Sequence, residues 1–425
     1  MATNITTHQT QTVMDRLIQP LSGLFNQCKH SRECKTISDT KWIELGLTRT
    51  ILKESTGIAF LQKLIDSGKT LVKKSLFFES LKSKRRLNFS KELGGLLYNK
   101  IRTTHLENDL LSEFSCLNGY DIYAGDGHYH AAAAHDPLKG GKKHSVLHFY
   151  SLDLRSHALK QLIQADTTGN RKKEHDMRAL KRMSIDELRQ NAPKGRKVIY
   201  AWDKAGIDFL QWEKWKNSGG IYFISREKSN MAFLKMADLP FDTTNDINTG
   251  VQAYEYVGAN CGIAFYRIKY KCPSTGTLYS FITNLSQIPP GLVAYIYKLR
   301  WDVEKVFDEI KNKLRERKAW ATSETAKNMQ AEFICLAHNL MLLIEEKITS
   351  KERIIDTINI NKKLKRLRKD IANAKSNGIE LPSHLRKLRS TQRPLKFIRW
   401  LRNNLLNRDS WRVALEVLRL NYQYF

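Results

Sequence analysis

Three carboxylates stand where a cleft could use them. Asp126 follows the strand-like run IYAG, Asp203 ends a second such run, VIYAW, and Glu304 lies within YKLRWDVEKVFDEIK, a segment of helical pattern. A carboxylate at the end of a strand is where α/β sheets usually place their chemistry. An aspartate beside a glycine is equally an ordinary turn residue. Glu304 shifts that balance. At ~100° per residue, Tyr297, Arg300 and Lys311 fall within about 40° of it around a helix axis. They form a polar row beside an apolar stripe of Val303, Phe307, Ile310 and Leu314. A solvated ladder explains Arg300 and Glu304, which stand four residues apart, and Lys311 as well, but it gives no reason for Tyr297 or for the aspartates. Two aspartates on strands and one glutamate on a later helix suffice to hold hard divalent cations such as Mg²⁺. Two such ions can activate a hydroxyl and stabilise the leaving oxygen of a displacement at phosphorus.

The elements that must position these residues change in texture along the chain. Residues 1–115 read as helical, with apolar residues at three- and four-residue intervals in QTVMDRLIQPLSGLF, TRTILKESTGIAFLQKLIDSG and SKELGGLLYNKI. In KSLFFESLKSKRR, Lys82, Lys84, Arg85 and Arg86 stand beside Phe77 and Phe78. That pairing suits a phosphate backbone and equally suits a solvated helix end. From residue 118, GYDIYAGDGHY, HSVLHFYSLDL, ALKQLIQADTT and RKVIYAWDKAG read as strands, with a helix over KKEHDMRALKRMSIDELRQN before the last. Three strands, a helix and a further strand make an α/β unit with hairpins first and a crossover later. Residues 220–288 return to strand pattern in IYFISRE, VQAYEYVG, IAFYRIKY and LYSFITNL, a β insertion that Pro289-Pro290 ends. Helix then resumes to about residue 349.

Five regions are expected: a helical DNA-binding region at 1–115, a first part of the core at 116–215, and the β insertion at 216–290. Core helices carrying the third acid follow at 291–349, and a basic helical region at 350–425.

Charge names the class of partner. The 425 residues carry a formal charge of +28, which points to a polyanion, nucleic acid ahead of a membrane surface. From residue 351 onward, 19 lysines and arginines face six acids. The apolar helical spacing of LKFIRWLRNNLLNR makes this an ordered basic region. With 41% hydrophobic residues and no stretch of ~18 uncharged apolar residues, no membrane span is expected. The polar N-terminus lacks the apolar core of an export signal. Six scattered cysteines make no disulfide framework, which fits a reduced cytoplasmic setting. Cys28, His30 and Cys34 hint at zinc, but no second pair follows at finger spacing.

The spacing Tyr297-x2-Arg300-x3-Glu304-x6-Lys311 resembles the signature of the insertion-sequence-four group of DDE transposases. Asp126 in GDGHY resembles that family's first aspartate motif and Asp203 in DKAGID its second; the likeness spans roughly residues 118–320. It implies a ribonuclease-H-like core interrupted by a β insertion, with Asp126, Asp203 and Glu304 as catalytic acids. Those acids would hold Mg²⁺, with Mn²⁺ as substitute and two ions in number. It also implies nicking at transposon ends, then attack of the freed 3′-hydroxyl on target DNA, by a homodimer on paired terminal inverted repeats. Tyr297, Arg300 and Lys311 would serve the DNA, since Glu304 alone among the four offers a carboxylate to a cation. One departure stands out. Hairpin-forming members use a tryptophan of the insertion to stack a flipped base, and residues 216–300 contain none. Tyr254, Tyr256, Phe265 and Tyr266 are the aromatic alternatives.

Three rivals remain in view. His128, His130, His135 and His144 crowd near Asp126 and suggest a His/Asp metallohydrolase, although their spacing fits no familiar zinc pattern. A structure-specific nuclease on the same core would cut without joining. A non-catalytic DNA-binding relic would bind alone, and the presence of all three acids weighs against it.

Overall fold

The structure is a computed structural model describing residues 11–424, apart from 53, 55, 71, 105–108, 139–140, 166–173, 175 and 389–391. Strands β1 (Tyr120–His130), β2 (Val146–Asp153) and β3 (Leu159–Gln164) form an antiparallel meander. β4 (Lys197–Ala201) joins the free side of β1 in parallel, and β5 (Ile221–Arg226) joins β4 in parallel. The segment 172–191, expected as one helix, forms two short ones, α6 (Asp176–Leu180) and α7 (Ile185–Arg189). Ser184 starts the second with a reciprocal capping box to Glu187, which resets the helix where the hydrophobic pattern alone runs on. The KKEHD start of that segment lies partly outside the described residues.

The insertion does not stand apart from the core. β6 (Phe233–Asp238), β7 (Val251–Ala259), β8 (Ala264–Lys271) and β9 (Leu278–Thr283) are antiparallel neighbours, and β9 pairs with β5. One nine-stranded sheet results, in the order β3-β2-β1-β4-β5-β9-β8-β7-β6. β5, counted with the insertion by sequence pattern, is tied to the first half by its parallel pairing with β4.

Side-chain alternation sorts the sheet into two faces. Ile122, Ala124, Ile199 and Ala201 share a core with α9 (Pro290–Leu299), α10 (Trp301–Asp308) and α11 (Glu324–Ser350). Tyr123, Val198, Tyr200 and Trp202 share the other with α6, α7 and α8 (Phe209–Gly219). β2 is buried at every position.

α11 also closes a second, all-helical core. Around it pack α1 (Val13–Ile18), α2 (Asp39–Leu52), α3 (Gly57–Asp66), α4 (Lys74–Lys82) and α5 (Lys84–Thr103). α13 (Leu395–Asn404) and α14 (Trp411–Tyr424) join them from the C-terminal region. Gly46 makes the α2–α11 approach possible, since a Cβ there would lie 2.0 Å from the Phe333 ring. α12 (Thr357–Ser376) stands outside this core with only Ala374 buried.

The basic cluster of α4 and α5 is partly spent inside the protein. Arg85 bonds Asp39 at 2.7 Å, and buried Arg86 reaches the same carboxylate at 3.4 Å beneath Trp42. Those two arginines are therefore no phosphate grip. Two of the three zinc-hint residues are engaged otherwise: His30 pairs with Glu92 at 2.9 Å, and Cys34 contacts Arg85. No described helix is long and apolar enough to cross a membrane.

Candidate active site

Parallel pairing of β1 with β4 ends at Ala124 opposite Ala201. Asp126 and Asp203 each lie two residues further along, and the backbone at Asp203 is still extended (φ −72°, ψ 178°). Both carboxylates therefore project from adjacent strands at the same level, on the face that α9 and α10 cover. Asp203 lies just past the end of β4, whereas Asp126, expected at a strand end, sits within β1, which runs on to His130 and pairs Asp126 with Tyr150 of β2. Trp202 packs on the opposite face. A Cβ on Gly125 or on Gly206 would lie 1.6 Å from its ring. Both motifs need their glycines because the indole lies against their backbone. Asp126 accepts a hydrogen bond from its neighbour Gly127 N at 2.8 Å. Asp203 accepts one from Ala205 N at 2.7 Å and so caps the single turn Lys204–Gly206.

The signature segment is not one regular helix. Arg300 ends α9 and opens α10, and residues Glu309–Lys313 widen into a π-turn in which Leu314 N bonds Glu309 O at 2.9 Å. The extra residue of a π-turn shifts everything after it, so the even angular spacing expected out to Lys311 does not hold. The Arg300–Glu304 spacing survives. Arg300 Nη2 lies 2.6 Å from Glu304 Oε1, and Nη1 lies 3.7 Å from Asp126 Oδ2. The supposed ladder rung is thus a bridge between two of the three acids.

Electrostatics ties the third to them. Burial pushes the Asp126 carboxyl up to about 7; Arg300 and the Gly127 N–H pull it back, while the charges of Asp203 and Glu304 add to the rise. Arg300 is 5% exposed, and its Nε and Nη1 find no hydrogen-bond partner among the described residues. Such a guanidinium presents the planar donor fork that suits oxyanions in general.

Tyr297 lies under this arginine, 6% exposed, its ring 5.4 Å from the guanidinium and 5.1 Å from Phe281. Lys311, within the π-turn, is exposed. Its charge, after burial, helps hold the His128 imidazole down to about 4. His128, His130 and His148 form a buried stack with ring centroids 4.9 and 6.0 Å apart, while His135 and His144 are exposed. These imidazoles pack as neutral wall residues.

The three carboxylates are hard oxygen donors. In donor chemistry they fit Mg²⁺ or Mn²⁺. Their present spacing is open. Among the described residues no three His, Cys, Asp or Glu side chains close on a single metal position, and Arg300 lies between Asp126 and Glu304.

A model of the transposase DDE domain family matches residues 121–340, from β1 through most of α11 and across all three acids. The chain belongs to the DDE transposase family. A transposase binds, cleaves and joins DNA, and members of the family generally use divalent metals, which agrees with the donor set. No curated protein matches the chain.

One residue of this transposase carries no signal in the signature spacing. Trp301 is 53% exposed and its ring lies 5.7 Å from the Arg300 guanidinium, so an exposed indole stands beside that arginine. It directly follows Arg300, one position beyond the 216–300 stretch that lacks tryptophan. Of the aromatic alternatives in the insertion, Phe265 is buried against Phe209 at 4.3 Å. Tyr254 and Tyr256 each pack on Tyr266.

Proposed function

We propose that this transposase is a member of the insertion-sequence-four group with a ribonuclease-H-like core. In this reading it nicks DNA at transposon ends and transfers the freed 3′-hydroxyl into target DNA, with Asp126, Asp203 and Glu304 as its catalytic acids. The observation that carries the reading is the double contact of Arg300 with Asp126 and Glu304, which draws the signature helix onto β1. The strand order β3-β2-β1-β4-β5, an antiparallel meander continued by two parallel strands, supports the core assignment.

Each side chain then has a task. Asp126, Asp203 and Glu304 would hold two Mg²⁺ or Mn²⁺ ions, which supply activation of the attacking hydroxyl and stabilisation of the leaving oxygen. In the first step water attacks the phosphorus and the bond to the 3′ oxygen breaks. In the second, the resulting 3′-hydroxyl attacks a target phosphodiester and displaces its 3′ oxygen. Arg300 turns its unused donors to a phosphate of the end. Tyr297, covered by Arg300, contributes by orienting that guanidinium, and Lys311 adds a mobile charge near His128. A homodimer on paired terminal inverted repeats, acting on DNA in the cytoplasm, completes the reading.

The test uses labelled duplexes carrying the DNA that flanks the gene, with Mn²⁺ or Mg²⁺, with and without a target plasmid. Joined products support transposition, nicks alone support a nuclease, and binding alone supports a relic. Asp126→Asn, Asp203→Asn and Glu304→Gln should each abolish cleavage with binding nearly intact. A variant that keeps substantial cleavage removes its residue from the site.

A further inference from the structure

Much of the positive charge of this chain is already committed. Arg85 and Arg86 hold Asp39, Arg102 holds Asp121 and Asp153, and Arg393 holds Glu309. α12 is different. It carries seven lysines and arginines against one acid, Asp370. Lys362, Lys365, Arg366 and Lys369 are all exposed, and none forms an ion pair with any described residue. They stand at i, i+3, i+4 and i+7, a single face of a helix. Ile360, Leu364, Leu367 and Ala374 occupy the opposite side and are half-buried or buried.

This cationic face belongs to a fixed element, not a loose tail. Asp356 caps the start of α12 through Asn359 N at 3.0 Å. At its far end Asn377 Nδ2 bonds Pro273 O at 3.2 Å, on the turn between β8 and β9. The returning chain is tied down twice more. Ser383 bonds Asp246 at 2.6 and 2.7 Å, and Gln392 bonds Lys305 O at 3.0 Å and Asp308 at 2.6 Å on the signature helix. Helix and return strap therefore bridge the β insertion and α10.

We propose that Lys362, Lys365, Arg366 and Lys369 form a sequence-independent docking face for the backbone of duplex DNA. The proposal rests on the transposase reading only in naming DNA as the polyanion. Seven residues of helix rise about 10 Å, and that length of duplex presents roughly six phosphate charges. Four aligned cations with no internal partner match that density. A duplex gripped there is held in fixed relation to the helix of Glu304, which an unstructured basic tail could not achieve.

The test is the salt dependence of binding by the full chain to a random-sequence 40-base-pair duplex, followed by fluorescence anisotropy between 50 and 200 mM salt. Each phosphate that no longer meets a cation lowers the log–log slope by ~0.9. The fourfold variant Lys362→Gln, Lys365→Gln, Arg366→Gln, Lys369→Gln should therefore flatten the slope by roughly 3 to 4 with its melting temperature unchanged. Replacing the three lysines with arginine should keep the slope. A duplex carrying the gene-flanking DNA should lose affinity equally. An unchanged slope in the fourfold variant, beside normal binding by the wild type, overturns the docking face while cleavage assays leave the transposase reading standing. A loss confined to gene-flanking DNA overturns its sequence independence. The expected slope change in the fourfold variant, beside a wild type that never cuts DNA, overturns the transposase reading and leaves the docking face intact.

Discussion

Replacing Arg300 with alanine is expected to tighten divalent-cation binding while abolishing productive cleavage. In the free protein its guanidinium bonds Glu304 at 2.6 Å and stands 3.7 Å from Asp126. A cation that recruits Glu304 must first break the shorter contact. Hydrogen bonds between charged groups contribute about 1.5–3 kcal/mol. The Glu304 side chain is 33% exposed, so solvent screening places this bond at the low end. The longer contact lies outside hydrogen-bonding range and adds only attenuated attraction. About 1.4 kcal/mol corresponds to a factor of ten, so Arg300→Ala should bind Mn²⁺ roughly tenfold more tightly than wild type. Glu304→Gln should bind more weakly, and Lys311→Ala, with no acid partner among the described residues, should bind as wild type does. Single-turnover cleavage at saturating Mn²⁺ should nevertheless fail in Arg300→Ala, because the end phosphate is without its planar donor. Calorimetric Mn²⁺ titration beside that assay decides the matter. Mn²⁺ affinity equal to or below wild type in Arg300→Ala refutes the competition, and equal losses in Lys311→Ala and Glu304→Gln refute the division of roles along the helix.

Gly125→Ala should destabilise the chain by about 1–3 kcal/mol through overpacking, because the new Cβ meets the Trp202 ring at 1.6 Å. Cleavage should fall by more than the unfolded fraction explains, since the strain displaces Asp126, and urea unfolding indistinguishable from wild type would refute the contact. A second expectation concerns pH. Glu316 is 4% exposed; burial pushes its carboxyl from 4.5 up to about 7, against Arg49 and hydrogen bonds from Gln330 and Trp320. The folded state then holds this proton more tightly than the unfolded state, so stability is full below pH ~4.5 and falls as pH rises through ~7. The loss is up to about 3 kcal/mol, and Glu316→Gln should remove that part of the slope between pH 5 and pH 8. An identical slope in the variant would count against it.

The three candidate acids stand out in the sequence because an aspartate following a strand-like run and an i, i+4 arginine–glutamate pair are visible within a few residues of chain, although β1 runs on four residues past Asp126. What holds them is not local. The glycines of GDGHY and DKAG look like turn residues, yet Gly125 and Gly206 are required by one buried indole packed on both. Arg85 and Arg86 look like a surface cluster because Asp39, their partner, lies more than forty positions upstream. The helix expected over 172–191 breaks where Ser184 and Glu187 cap each other, a signal present in the sequence but outweighed by the apolar period. Most of the β insertion reads as strands, but the pattern does not mark β6 (Phe233–Asp238); strand pattern carries no pairing either, and among the described residues the β5–β9 pairing joins the insertion to the central sheet.

The π-turn shows how far the site depends on distant chain. Glu309 opens that turn and is 1% exposed. Its carboxylate accepts from Arg393 N at 2.8 Å and from the Arg393 guanidinium at 2.6 Å. Lys313, which closes the turn, donates to Arg393 O at the same place. A buried ion pair is costly to break from one side, so this clamp fixes the widened turn, and through it the direction in which Lys311 leaves the helix. The family match stops at residue 340, well short of Arg393. The C-terminal region is therefore more than a source of charge: by clamping the turn it sets the geometry of the helix that carries Glu304.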